Sequence, residues 1–177
     1  MKNMVIGIFL VFIMLALAQP FVEFSSLLTD KVTLDAAVLN SSRAARNDAL
    51  QARYIESMSY LGDLDANIIE SLFRESFAEA FSKTLGVNLI ESKVNRMVFS
   101  GNDRWNEITI DLTIDFEESD LHGHTVIDRA IVGIEVDTAY VYRTSLLAMM
   151  AAATGDTHRV NIGARSEPFV FTVQIVN

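Results

Sequence analysis

The residues best suited to chemistry lie in one short stretch: Glu117, Glu118, Asp120, His122 and His124. Imidazole nitrogens and carboxylate oxygens ligate divalent metals, and alternate residues of an extended chain share a face. Asp120, His122 and His124 are therefore the candidate metal ligands, with His158 available from elsewhere in the chain. Tetrahedral sites usually draw ligands from more than one element, so the stronger reading is a solvated acidic turn. Asp111 and Asp115 follow the period of a strand and read as outward polar residues rather than an acid/base pair. Gly101, Gly123, Gly133, Gly155 and Gly163 are isolated, which leaves no phosphate-cradling loop and no nucleophile elbow. With no cysteine there is no disulfide, thiol catalysis or thiolate zinc site. The expectation is a protein without catalytic residues or cofactor, not an enzyme.

Charge narrows the partners. The chain of 177 residues has a net charge of −9, almost all of it beyond residue 28. Nucleic-acid binding needs clustered Lys and Arg, and this body is acidic, so nucleic acid is excluded as a partner. The same sign disfavours docking flat on an anionic leaflet.

The elements that would position any site begin with the amino terminus. Residues 4–18 carry no charge, and continuation through Phe24 makes a helix of about 31 Å, enough to span a bilayer. Ala16 and Ala18 before Gln19 also fit a signal-peptidase site, which would leave a soluble mature chain. Against cleavage, apolar character continues through Phe21, Val22, Phe24, Leu27 and Leu28, so a retained anchor is the preferred reading. Lys2, the basic residue before the span, orients the amino terminus toward the cytoplasm. Glu23 is either a functional carboxylate inside the membrane or, the preferred reading, a carboxylate in headgroup water.

From Ser25 to Leu61 there is no Pro or Gly, and small or apolar residues recur at helical spacing: Leu34, Ala37, Val38, Ser41, Ala44, Ala45, Ala49. Such a seam lets another helix approach closely. Its partner is the protein's own sheet or a neighbouring subunit; on the second reading Glu23, Ala37, Ala44 and Ala45 are the assembly residues.

The run Phe21, Val22, Glu23, Phe24, followed by the stretch from Leu34 to Arg46, resembles the amino-terminal region of TadE-like pseudopilins. There a membrane helix ends near a Pro and an Ile/Val-Glu-Phe triplet, then enters an Ala/Arg-rich segment before an extracytoplasmic domain. Pro20, Glu23, Phe24, Leu34, Ala36, Ala37, Arg43, Ala44, Ala45 and Arg46 match in kind and order. The resemblance covers about 40 of the 177 residues. It implies a pilin-like fold and an assembly role in a Tad-type, type IV-like pilus or secretion apparatus, with other pilin-like subunits as partners. Gly7 departs from the family's prepilin-peptidase pattern, because no acidic residue lies between it and Glu23.

The body reads as α+β. Gly62 ends the stalk, with Asp63 or Asp65 as N-cap of a second helix. In that helix Ile69, Leu72, Phe73, Phe77 and Phe81 share a face, and Gly86 stands at its C′ position. Strands are expected over residues 87–99, 105–116, 125–142 (with a break near Asp137 and Thr138) and 169–176, giving an antiparallel sheet of four to five strands. Residues 117–124 read as a polar loop and 144–154 as a helical segment. Its Leu146, Leu147, Met149 and Met150 are either core or an adaptable binding surface. The expected organisation is an anchor over residues 1–28, a stalk over 29–61 and an extracytoplasmic domain over 62–177. The alternative is a small anchored or secreted binding module.

Overall fold

The computed structural model describes residues 2–58, 66–121, 124–142, 144, 149, 153 and 159–172. Helix α1 (Lys2–Met58) is 57 residues long, about 85 Å at roughly 1.5 Å per residue. It runs on through Pro20, whose missing N–H removes one rung of the helical ladder without ending the helix. The expected stop at Gly62 and the N-cap at Asp63 or Asp65 lie outside the described residues.

A single stripe of α1 is buried: Glu23, Asp30, Leu34, Ala37, Val38, Ser41, Ser42, Ala45 and Ala49. These recur every three or four residues, as one side of a 3.6-residue helix requires. Helix α2 (Ala66–Leu85) packs against this stripe through Ile69, Phe73, Phe77 and Phe81, the last three fully buried. Their rings follow one another at centroid separations of 6.4 and 5.7 Å, and Phe81 meets Phe99 of the sheet at 4.9 Å. The small side chains of α1 make room for these large rings. Gly86, at φ +66°, donates its N–H to Ser82 O, as does Val87, which closes α2 as expected.

Five strands form an antiparallel meander in the order β1 to β5: β1 (Leu89–Lys93), β2 (Arg96–Phe99), β3 (Trp105–Leu121), β4 (His124–Val141) and β5 (Arg159–Thr172). The α+β expectation is met. One sheet face is dry, with Met97, Phe99, Trp105, Ile108, Ile110, Leu112, Ala130, Val132, Ile134, Val136 and Tyr140 buried in the core. The other is wet, and on it Arg96 holds Asp111 through two hydrogen bonds of 2.7 and 3.0 Å, while Arg129 pairs with Glu117 at 3.1 Å.

Strand boundaries differ from expectation in four places. Residues 87–99 form two strands, joined by a two-residue turn at Val94 and Asn95 with Lys93 opposite Arg96. Every residue of β1 is exposed, so burial left no alternation there to mark the turn. Residues 117–121 extend β3 instead of forming a loop, because pairing with β4 satisfies their backbone whatever their side chains. There is no break at Asp137 and Thr138: Thr138 turns inward and donates to Glu107 O at 3.2 Å. Residues 159–172 are one strand. Pro168 is accommodated because β5 is an edge strand and bulges there, with Glu167 and Pro168 opposite Gly133.

The turn before β3 is organised by Asn102. Its side-chain oxygen accepts from the N–H groups of Arg104 and Trp105, and its amide donates to Leu85 O at 3.1 Å, tying the turn to the end of α2. Gly101 is required: a Cβ there would stand 2.6 Å from Trp105 O and 2.9 Å from a backbone carbon of Asn106.

Replacing Phe77, whose ring is central to this stack, by Ala is expected to destabilise the head by about 3–5 kcal/mol, read by chemical denaturation in detergent. The Arg96 hydrogen bonds hold Asp111 below the usual carboxylate range. Their stabilisation is present above pH about 4 and is lost as pH falls through the depressed value. Asp111→Asn should therefore be less stable than the parent at pH 7 and equal to it in strong acid.

Candidate functional site

The distinctive feature of the molecule is the junction between two halves of α1. Residues 4–22, Gln19 apart, lie outside the packed body, with Met4, Phe9, Phe12, Met14, Leu17 and Phe21 all more than half exposed. Among the described residues this is the one helix long and apolar enough to cross a membrane; the candidate stretch is Met4–Ala49, with a mean hydropathy of 2.5 in its most apolar part. The uncovered apolar part, residues 4–22, extends about 28 Å, close to the thickness of a bilayer's hydrocarbon core.

Glu23 follows at once and is 4% exposed. Tyr140, near the end of β4, donates its hydroxyl to Glu23 Oε1 at 3.0 Å, and the Thr144 N–H donates to Oε2 at 3.1 Å. Both carboxylate oxygens are thus engaged by the head. The carboxylate is turned into the head rather than outward from the helix. The physical reason is tertiary: the end of β4 reaches α1 at the first residue beyond the apolar run. Gln19, one turn earlier, and Thr144 add two buried polar oxygens, Oε1 and Oγ1, beside it without protein partners. Two turns further on, Asp30 is 2% exposed and lies 3.5 Å from Arg104. Because Asn102 reaches Leu85 and Arg104 reaches Asp30, the end of α2 lies beside this part of α1, and the two helices run antiparallel.

The small-residue seam is used within the chain. Ala37 and Ala45 are 1% and 0% exposed in the core formed with α2 and the sheet, and Ala44 is half-buried. The face of α1 left open beyond Glu23 carries Phe24, Leu28, Val32 and Leu39, each 45–66% exposed. The apolar pattern of the sequence takes in Phe24 and Leu28 but does not say which of two faces a neighbour covers.

The candidate metal ligands lie at the β3–β4 hairpin and beyond the described residues. Asp120 lies in β3 opposite Thr125 and His124 opens β4 opposite Leu121, while His122 and His158 fall outside the described residues. No group of three His, Cys, Asp or Glu able to hold a metal occurs among the described residues. An open groove of about 660 Å³ lies between α2 and β1, lined in part by Ser71, Arg74, Glu75, Glu79, Ser82 and Lys83. Of its charged residues, Lys83 pairs with Glu79 and Arg74 with Glu70, and the Lys83 hydrogen bond holds Glu79 below the usual carboxylate range.

In class the chain is an α+β head on one long apolar amino-terminal helix. No protein-family model matches it, and neither a curated protein nor a solved structure shows significant similarity.

Tyr140→Phe removes one donor from Glu23 and leaves the ring in place. It should cost about 1–3 kcal/mol, and thermal unfolding of the full chain in detergent would measure it. An unchanged midpoint would show that Tyr140 does not support the junction.

Proposed function

We propose that this protein is a structural, non-catalytic component of a membrane-bound assembly, anchored by residues 4–22 with its head outside the cytoplasm. The observation that carries this reading is the continuity of α1. A helix uncovered enough to lie in lipid passes without interruption into the core of the head, and Glu23 locks the two together. Displacement of the anchor is thereby transmitted to the sheet as a rigid lever, a use suited to subunits that pack side by side.

The resemblance of residues 20–46 to TadE-like pseudopilins supports a Tad-type, type IV-like pilus or secretion apparatus as the assembly, with pilin-like subunits as neighbours. Lys2 supports a cytoplasmic amino terminus. The open α1 face (Phe24, Leu28, Val32, Leu39) is the surface offered to a neighbouring helix, since the alanine seam is occupied from within. The competing reading is a small anchored or secreted binding module that takes a ligand on its sheet or on the Met-rich segment of residues 144–154.

The chain has no cysteine, so single cysteines give unambiguous crosslinks. Val32→Cys and Leu39→Cys are expected to yield oxidative dimers in native membranes, and Thr113→Cys on the exposed wet sheet face is expected to remain monomeric. Monomers at every position would count against the assembly role.

A further inference from the structure

The uncovered apolar part of α1 ends at residue 22 and the head takes hold of the helix at Glu23, so no spacer separates the two. Trp105 pairs with Tyr140, and Tyr140 reaches Glu23. The turn before β3 therefore stands at the level where the apolar part of α1 ends. Asn102 in that turn donates to Leu85 O, which brings the carboxyl end of α2 to the same edge of the head. The turn is held in place: Asn102 Oδ1 accepts from the Arg104 and Trp105 N–H groups, and Gly101 has no room for a Cβ.

Two cations at this edge have donors to offer. Arg104 meets Asp30 through Nη1 at 3.5 Å, yet its side chain stays 53% exposed, which leaves other guanidinium N–H groups open to a second anion. Lys31 is exposed and makes no ion pair among the described residues. Side chains on a helix lean toward its amino terminus, which for Lys31 is toward the span. Asp103 shares the turn, so the contact on offer belongs to particular side chains rather than to a broad basic patch.

We propose that the head is seated on the leaflet from which its anchor emerges, with Arg104 donating to lipid phosphate oxygens and Lys31 supporting it. The inference rests on the membrane-anchored reading and adds to it what the near edge of the head binds. Headgroups form a layer about 5–8 Å deep beyond the hydrocarbon, and a turn level with Glu23 lies within it. The planar fork of a guanidinium matches phosphate oxygens in pairs, and long basic side chains reach toward such a layer. Five strands at roughly 4.8 Å spacing make a sheet about 19 Å across, so the near edge of the head overlies lipid well beyond α1. The acidic residues of β3 lie farther off, with Glu117 about 40 Å along the strand from Trp105 at roughly 3.3 Å per residue. One span alone leaves the head free to rock on its helix; phosphate contacts beside it fix the tilt.

The test uses the full chain in phosphatidylcholine vesicles. Trp105 is the chain's single tryptophan, and lipids brominated near the carboxyl end of the acyl chains are expected to quench it. In solid-state NMR, lipid phosphorus is expected to dephase the arginine guanidinium carbon signal, and this dephasing should fall in Arg104→Lys. A fluorophore on Val11→Cys reports the anchor separately. Quenching at position 11 with an unquenched Trp105 would overturn the seating and leave the anchor standing. No quenching at either position would overturn both. Dephasing that is unchanged in Arg104→Lys would overturn the role of Arg104. Equal dephasing by inorganic phosphate in maltoside micelles would show an anion site independent of the leaflet, and would overturn the lipid assignment.

Discussion

One helix in this protein must satisfy two environments, and the bonds to Glu23 mark where one gives way to the other. On the amino-terminal side α1 presents large apolar side chains on every face. On the other side it presents a single buried stripe to α2 and the sheet. A carboxylate at that boundary would be costly if left without donors. Tyr140 and the Thr144 amide supply them from the head, so the boundary is a fixed point of the tertiary structure. The end of β4 and the α2 terminus both lie close to where the head meets α1.

The core beyond this point is arranged by size. Alanine and serine on α1 leave space, and Phe73, Phe77 and Phe81 on α2 fill it, continuing to Phe99 in the sheet. The same small residues that would permit close approach of a neighbouring helix are consumed in packing the head. What remains for a neighbour is the opposite side of α1, where larger side chains are exposed. Close-packed interiors make this an either/or choice: a side chain buried against one partner is not available to another.

Charge and apolar surface are segregated along the molecule. The wet sheet face carries ion pairs that run across strands, and the acidic residues of the β3–β4 hairpin stand at the end remote from the apolar helix. An antiparallel meander produces such polarity naturally, since successive turns fall at alternate ends of the sheet.

Periodicity in the sequence was sufficient for the long apolar helix, the phenylalanine face of α2, its Gly86 terminus and the inward row of β3, because each is a local pattern imposed by helix or strand geometry. The α+β class follows from those elements. The turn splitting β1 from β2, the strand character of residues 117–121 and the continuity of β5 were not legible, since cross-strand pairing sets them and an exposed or edge strand has no burial signature. The amino-acid sequence by itself determined that residues 4–18 are apolar and that a carboxylate, Glu23, follows them. Only the tertiary structure decided that Glu23 faces the head and that the alanine seam is covered, because Tyr140 and Thr144 are more than a hundred residues away and reach α1 through the fold of the sheet.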